Sequence, residues 1–364
     1  MNVYRHVTPL IVILLLTVLF VGVVTIHPTT GKAAPVLHAG GALKYKGITY
    51  FGYADEYDSP GSNVSLNALK STGANYVAVT VMQYLSNSTS NTIFPDPNQT
   101  ESDASVIDAI NEIHARGMGV MLKPMLDSTN RSFGQGDLTT TNPAAWFASY
   151  STFINHYAQI AQKNHVELFC VGCELDHLDT RIYDANWRTV ISGVRAIYKG
   201  PLTYAANWWR YRGVPFWNAL DYIGIDAYFP LSTAQTPAEV DLVGAWSGYF
   251  STISLDIGYH NWLQEIEAQQ ACVGKPVLFT EIGYRSCDYT AKNPGDWDKT
   301  AVYNASGQTN CYEAALQVFA NKPWFAGMFW WSWQPNPKAG GAGDTDYTPQ
   351  NKPAQNVLTA DWLP

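Results

Sequence analysis

The sequence carries little charge and never gathers the positive part of it. Only 14% of residues are Asp, Glu, Lys or Arg, and 22 basic residues face 30 acidic ones. A net charge of -8 with no run of Lys and Arg excludes a nucleic-acid partner, which requires a basic face. Cysteine is also sparse. Five residues are too few for a disulfide scaffold of this length. The C-V-G-C at Cys170 and Cys173 has no second pair to complete a metal site, and residues three apart in a strand face opposite sides, so they do not bond each other. The eight histidines, His165 and His177 among them, show no H-x-H or H-E-x-x-H spacing, which excludes a metal-dependent hydrolase. Neither metal nor cofactor is expected. No Pro/Ser linker and no internal repeat interrupts the chain, so one domain is expected.

What is present is apolar and aromatic. The chain of 364 residues is 46% hydrophobic and can bury a sizeable core. Its aromatics, 13 Trp and 22 Tyr among them, divide between core positions and platforms that stack on sugar rings. At the N-terminus Arg5 precedes an uncharged apolar run over 9–24, intermediate between a signal-peptide core and a membrane span. Either way the rest is exported. Residues 1–34 are expected to be a signal peptide or N-terminal membrane anchor, and 38–364 a secreted or surface-anchored domain that meets the membrane only through that segment if uncleaved. Cys287 and Cys311 flank a polar insertion and are placed to staple it.

Eight short apolar runs recur, at 48–53, 76–82, 119–124, 168–173, 202–206, 222–227, 277–281 and 326–332. Helical patterns at 103–116, 143–163 and 187–198 separate several of them, two ending at Gly117 and Gly200, where a left-handed C-cap is expected. Apolar runs alternating with helices imply a parallel sheet with helical crossovers. Eight units fit an α/β fold of one (β/α)8 TIM barrel with enlarged loops on its C-terminal face, at 228–256, 286–309 and after Trp333. A doubly wound sheet is the competing architecture, but YFGYADEYDSPGS after the first run lacks a Gly-rich phosphate turn.

Barrel active sites lie where the strands end. There the sequence places Asp55 and Glu56, then Gln83, Lys123 and Asp127, Glu174, Asn207 with Trp208 and Trp209, Asp226 with Tyr228, Glu281, and Trp331 with Trp333. Glu174 ends the fourth run and Glu281 the seventh, so the two face each other across the mouth. Two carboxyls about 5–5.5 Å apart carry out retaining glycoside hydrolysis, one attacking the anomeric carbon and the other protonating the leaving oxygen. Tyr228 is placed to hold Glu281 ionised, and Asp226 to orient a neighbour or contact sugar. Trp331 and Trp333 share a strand face as sugar platforms. Lys123 and Asp127 read as a loop salt bridge. Glu281 should titrate lower than Glu174.

The segments VGCEL, DYIGIDAYFPL, KPVLFTEIGYRS and GMFWWSW, from 171 to 333, resemble glycoside hydrolase family 113 within the retaining glycosidase clan A. The resemblance covers the barrel from about Lys46 to Trp333. It implies Glu174 as acid/base, Glu281 as nucleophile, and an endo-acting enzyme cleaving β-1,4-mannan by double displacement. One position departs from the clan, where Asn usually precedes the acid/base and contacts the sugar 2-hydroxyl. Here it is Cys173, a weak hydrogen-bond partner, and Asn207 or another group is expected to take over that contact. A β-glucanase or other β-glycosidase with the same pair is the nearest alternative. A catalytically silent sugar-binding barrel, keeping Trp208, Trp331 and Trp333 but needing neither Glu, is the alternative outside enzymes.

Overall fold

The computed structural model describes residues 43–297 and 300–363. The segment 1–34 lies outside the described residues. Among those described, no helix is long and apolar enough to cross a membrane.

All eight apolar runs become strands of one closed parallel barrel. They are β1 (Tyr45–Tyr50), β2 (Tyr76–Leu85), β3 (Gly119–Ser128), β4 (Leu168–Cys173), β5 (Leu202–Asn207), β6 (Ile223–Asp226), β9 (Val277–Ile282) and β10 (Phe325–Trp333). Neighbours follow chain order around the ring, with β6 beside β9 and β10 closing on β1. The two intervening strands, β7 (Tyr249–Ser251) and β8 (Gly258–His260), pair antiparallel as a hairpin in the long loop after β6. The barrel strands are buried on both faces, the outer one by α1 (Ser62–Ser71), α2 (Asp103–Ala115), α3 (Pro143–Lys163), α4 (Asp184–Ile197), α5 (Glu239–Ala245), α6 (Trp262–Val273), α7 (Ala305–Phe319) and α8 (Pro353–Trp362).

Local chemistry sets the helix ends. Ser102, Asn142, Asn261 and Asn304 each accept a backbone N–H two or three positions into the helix they precede. Gly117 takes the expected left-handed conformation at φ 67°, with its N–H on His114 O and that of Met118 on Ile113 O, a Schellman ending to α2. Gly200 does not. Helix α4 ends earlier, in an extended Tyr198, and Gly200 is needed because a Cβ there would lie 2.2 Å from the Tyr198 hydroxyl oxygen. The staple expected between Cys287 and Cys311 is not formed; both side chains are buried, and burial pushes the Cys311 thiol up.

Most tryptophans pack between barrel and helices, with Trp146, Trp187, Trp217, Trp246, Trp262 and Trp330 fully enclosed. No atom lies within 4 Å of a Cβ built at Gly117, so Gly117→Ala tests backbone strain alone. It should lower stability by about 1 kcal/mol in a thermal or urea melt, without changing activity.

Candidate active site

Barrel closure brings side chains from β3, β4, β6 and β9 into one cluster. Lys123 lies opposite Thr80 in the β2–β3 register and points into the barrel, wholly buried. Its Nζ donates to Glu281 Oε1 at 2.5 Å and lies 3.5 Å from Asp226 Oδ1. The loop salt bridge expected with Asp127 is therefore not made. Strand position decides this, because a lysine four residues before Asp127 inside the barrel reaches across the lumen rather than along its own loop. Tyr228 OH donates to the other oxygen of Glu281 at 2.6 Å. Glu281 thus accepts from two protein donors. Burial, then the nearby Asp226 carboxylate, push its carboxyl up to about 7, against the lowering effect of Lys123 and Tyr228.

Asp226 sits wholly buried inside this cluster. Thr280 Oγ1 donates to its Oδ1 at 2.7 Å, and the Cys173 thiol to its Oδ2 at 3.4 Å. Cys173 also receives the Gln135 amide at 3.6 Å. The Cys173, Glu174 and Asp226 ligand atoms all lie within 4.8 Å of one another, close enough to hold a metal ion, but the Lys123 ammonium already occupies the cationic position beside Asp226.

Glu174 follows β4 at φ 50°, an uncommon backbone for a residue with a Cβ, while its N–H bonds Ala205 O at 2.8 Å. The residue is partly exposed, and no hydrogen bond from another described residue reaches its carboxyl. Desolvation, with Asp226, Glu281 and Asp176 adding repulsion, raises it well above the usual carboxylate range. Both acids are therefore raised, and Glu281 is not held low as expected.

Sequence reasoning missed the brace behind Glu174. The N–H of Leu175 donates to Tyr204 OH at 2.9 Å, and buried Asp179 accepts from Arg210 at 2.9 Å. Asn207 Nδ2 donates to both oxygens of Asp176, at 3.0 and 3.2 Å, which commits its amide nitrogen to the protein. Burial pushes Asp176 up to about 7 and Asp179 up to about 6. Both lie past the strand end in a turn, where the alternation rule has no reach.

The expected aromatic platforms divide. Trp331 packs against Phe51 at 4.9 Å, and its buried indole N–H has no acceptor among the described residues. Trp333 does not share its face; it is 1% exposed and donates to Ser65 of α1. The pairing of β1 with β10 slips between Ile48 and Tyr50, which breaks the alternation between Trp331 and Trp333. Trp208 is also buried, packed between Trp209, Phe229 and Trp262.

A model of glycoside hydrolase family 113 matches residues 48–352. The chain belongs to that family. Among solved structures, the family 113 β-mannanase AaManA from Alicyclobacillus acidocaldarius, in complex with ManMIm, superposes with a TM-score of 0.76 at 25% identity, over 88% of this chain and 97% of that one. A family 113 β-1,4-mannanase complex gives 0.76 at 26% identity, over 88% and 99%. A Ruminococcus gnavus β-glucuronidase, 14% identical with a TM-score of 0.57 over half of its chain, shares the fold alone. No curated protein matches. This family 113 chain is accordingly a glycoside hydrolase, acting on O-glycosyl bonds of a carbohydrate.

Replacing Lys123 by Met removes the positive charge that lowers Glu281. The Glu281 pKa then rises, so the acid limb of the kcat/KM–pH profile should move to higher pH, with a loss of about 100-fold near neutrality. Tyr228→Phe should move the same limb in the same direction by less.

Proposed function

We propose that the protein is an exported, retaining, endo-acting β-mannanase in which Glu281 is the nucleophile and Glu174 the acid/base. The observation that carries this reading is the inequality of the two carboxyls. Glu281 accepts from an ammonium and a phenol, both of which favour its ionised form, whereas Glu174 receives no donor from the described residues and burial raises its carboxyl well above the usual range. In the first step ionised Glu281 bonds the anomeric carbon while Glu174 gives its proton to the departing glycosidic oxygen. In the second, Glu174, now ionised, takes a proton from water, whose oxygen displaces Glu281 and restores the original anomeric configuration. Trp331, near the C-terminal end of β10 and packed against Phe51, is the candidate contact for the bound sugar. Asn207 is less suited to replace the absent clan Asn, because Asp176 holds its amide.

β-1,4-Mannan is the first substrate because the similar family 113 structures are of β-1,4-mannanases. A β-glucanase remains the second reading on one observation: the thiol of Cys173 stands where the clan reads the 2-hydroxyl, the position at which mannose and glucose differ. Mannan, glucomannan, cellulose and laminarin, with product sizing, separate the two. Export follows from Arg5 and the apolar run 9–24, and N-terminal sequencing of the secreted product tests it.

Glu281→Ala should reduce turnover by at least about 1,000-fold, and azide should restore it with a glycosyl azide of inverted configuration. Near-normal activity of this variant would remove Glu281 from the mechanism. Glu174→Gln should retain turnover only on aryl glycosides whose leaving group needs no proton.

A further inference from the structure

Among the described residues Trp297 is the one exposed tryptophan, with 55% of its surface in water. It stands at the outer end of an aromatic wall that begins at Glu281. Tyr228 donates to that carboxylate at 2.6 Å, the Tyr347 ring meets Tyr228 edge-on at 6.1 Å, and the Trp297 ring lies 4.8 Å from Tyr347 at 57°. Tyr228 and Tyr347 are buried, so only the last ring of the wall faces solvent.

The segment carrying Trp297 is braced from two directions. Tyr347 OH donates to Pro294 O at 2.5 Å and lies 3.3 Å from Asp296 O, and Arg285 Nη1 donates to Asp296 O at 3.4 Å. Gly295 lies directly against the site, since a Cβ built there would be 3.8 Å from Tyr228 Cβ. An indole held in water by backbone packed against Tyr228, the donor to Glu281, is an unfilled apolar surface at the end of that chain of rings. The C–H face of a pyranose ring matches it, leaving the hydroxyls to water. The net charge of -8 favours a neutral chain over an anionic one.

Resting on the glycosidase reading above, we propose that Trp297 is a stacking platform for a sugar unit of the polysaccharide beyond the bond being cleaved, extending the cleft along its Glu281 side. Trp297 then determines chain-length preference, since only substrates long enough to reach the end of the wall gain from it.

Affinity electrophoresis of wild type, Trp297→Ala and Trp297→Phe in gels containing mannan, glucomannan, hydroxyethyl cellulose or laminarin tests this without requiring turnover. The retarding polymer should bind Trp297→Ala about tenfold more weakly, with Trp297→Phe recovering most of the affinity. KM across β-linked oligosaccharides of two to six units should rise more for the longest than for the shortest. Equal retardation of wild type and Trp297→Ala overturns the platform, as does retardation of wild type by none of the polymers, or a loss in KM equal at all lengths. The sugar series cleaved by the wild type reports separately on the function, so a wrong substrate and a wrong platform give different results.

Discussion

The interior of this barrel depends on one buried ammonium. Lys123 is taken wholly out of water and has two carboxylates as partners, Glu281 at 2.5 Å and Asp226 at 3.5 Å. Desolvating three charges is costly, and truncating one partner of such a cluster typically costs about 3–5 kcal/mol, because the others remain buried and uncompensated. The three residues come from β3, β9 and β6, so their meeting requires the ring to be closed with those strands in register. Thr280 and Cys173 supply the other donors to Asp226. Fold and chemistry are thus coupled through one point. The arrangement that keeps Lys123 neutralised also keeps Glu281 ionisable at a depth where burial alone would protonate it.

Around that point the two acids are treated differently by their supports. Glu281 sits within a strand and is fixed by direct donors. Glu174 sits just past a strand end, where a left-handed backbone residue leaves the ladder and the following turn is tied down by Tyr204, Asp179, Arg210 and the Asn207–Asp176 contact. The brace holds the backbone and leaves the carboxyl without a donor among the described residues, which suits the acid/base role proposed for it.

The C-terminal tail completes the rim. Lys352 Nζ donates to Ser286 Oγ at 2.8 Å and to Asp344 Oδ1 at 2.9 Å, and Tyr347 reaches the carbonyls of Pro294 and Asp296. Residues far apart in the chain therefore form one wall beside β9. Such a wall is invisible to local patterns, because neither segment is periodic and Tyr347 and Lys352 reach partners in the other segment.

Apolar runs of strand length, spaced by helical patterns, determined the barrel, because a strand covered on both faces must be apolar throughout and a crossover needs a helix. Their C-terminal ends determined Glu174, Asp226, Tyr228 and Glu281 as neighbours, since the chain direction alone places them at one mouth. Tertiary structure alone decided which side chains point where. Lys123 read as half of a loop pair until closure placed it across the lumen from Glu281. Trp333 shared a predicted face with Trp331 until the slip in the β1–β10 pairing turned it towards α1. Trp208 went into the packing under α6, while Trp297, within a loop of no distinctive pattern, stayed in water. The period of a strand specifies alternation, but bulges, lumen-crossing contacts and loop bracing set the register and the partners, and these depend on residues distant in sequence.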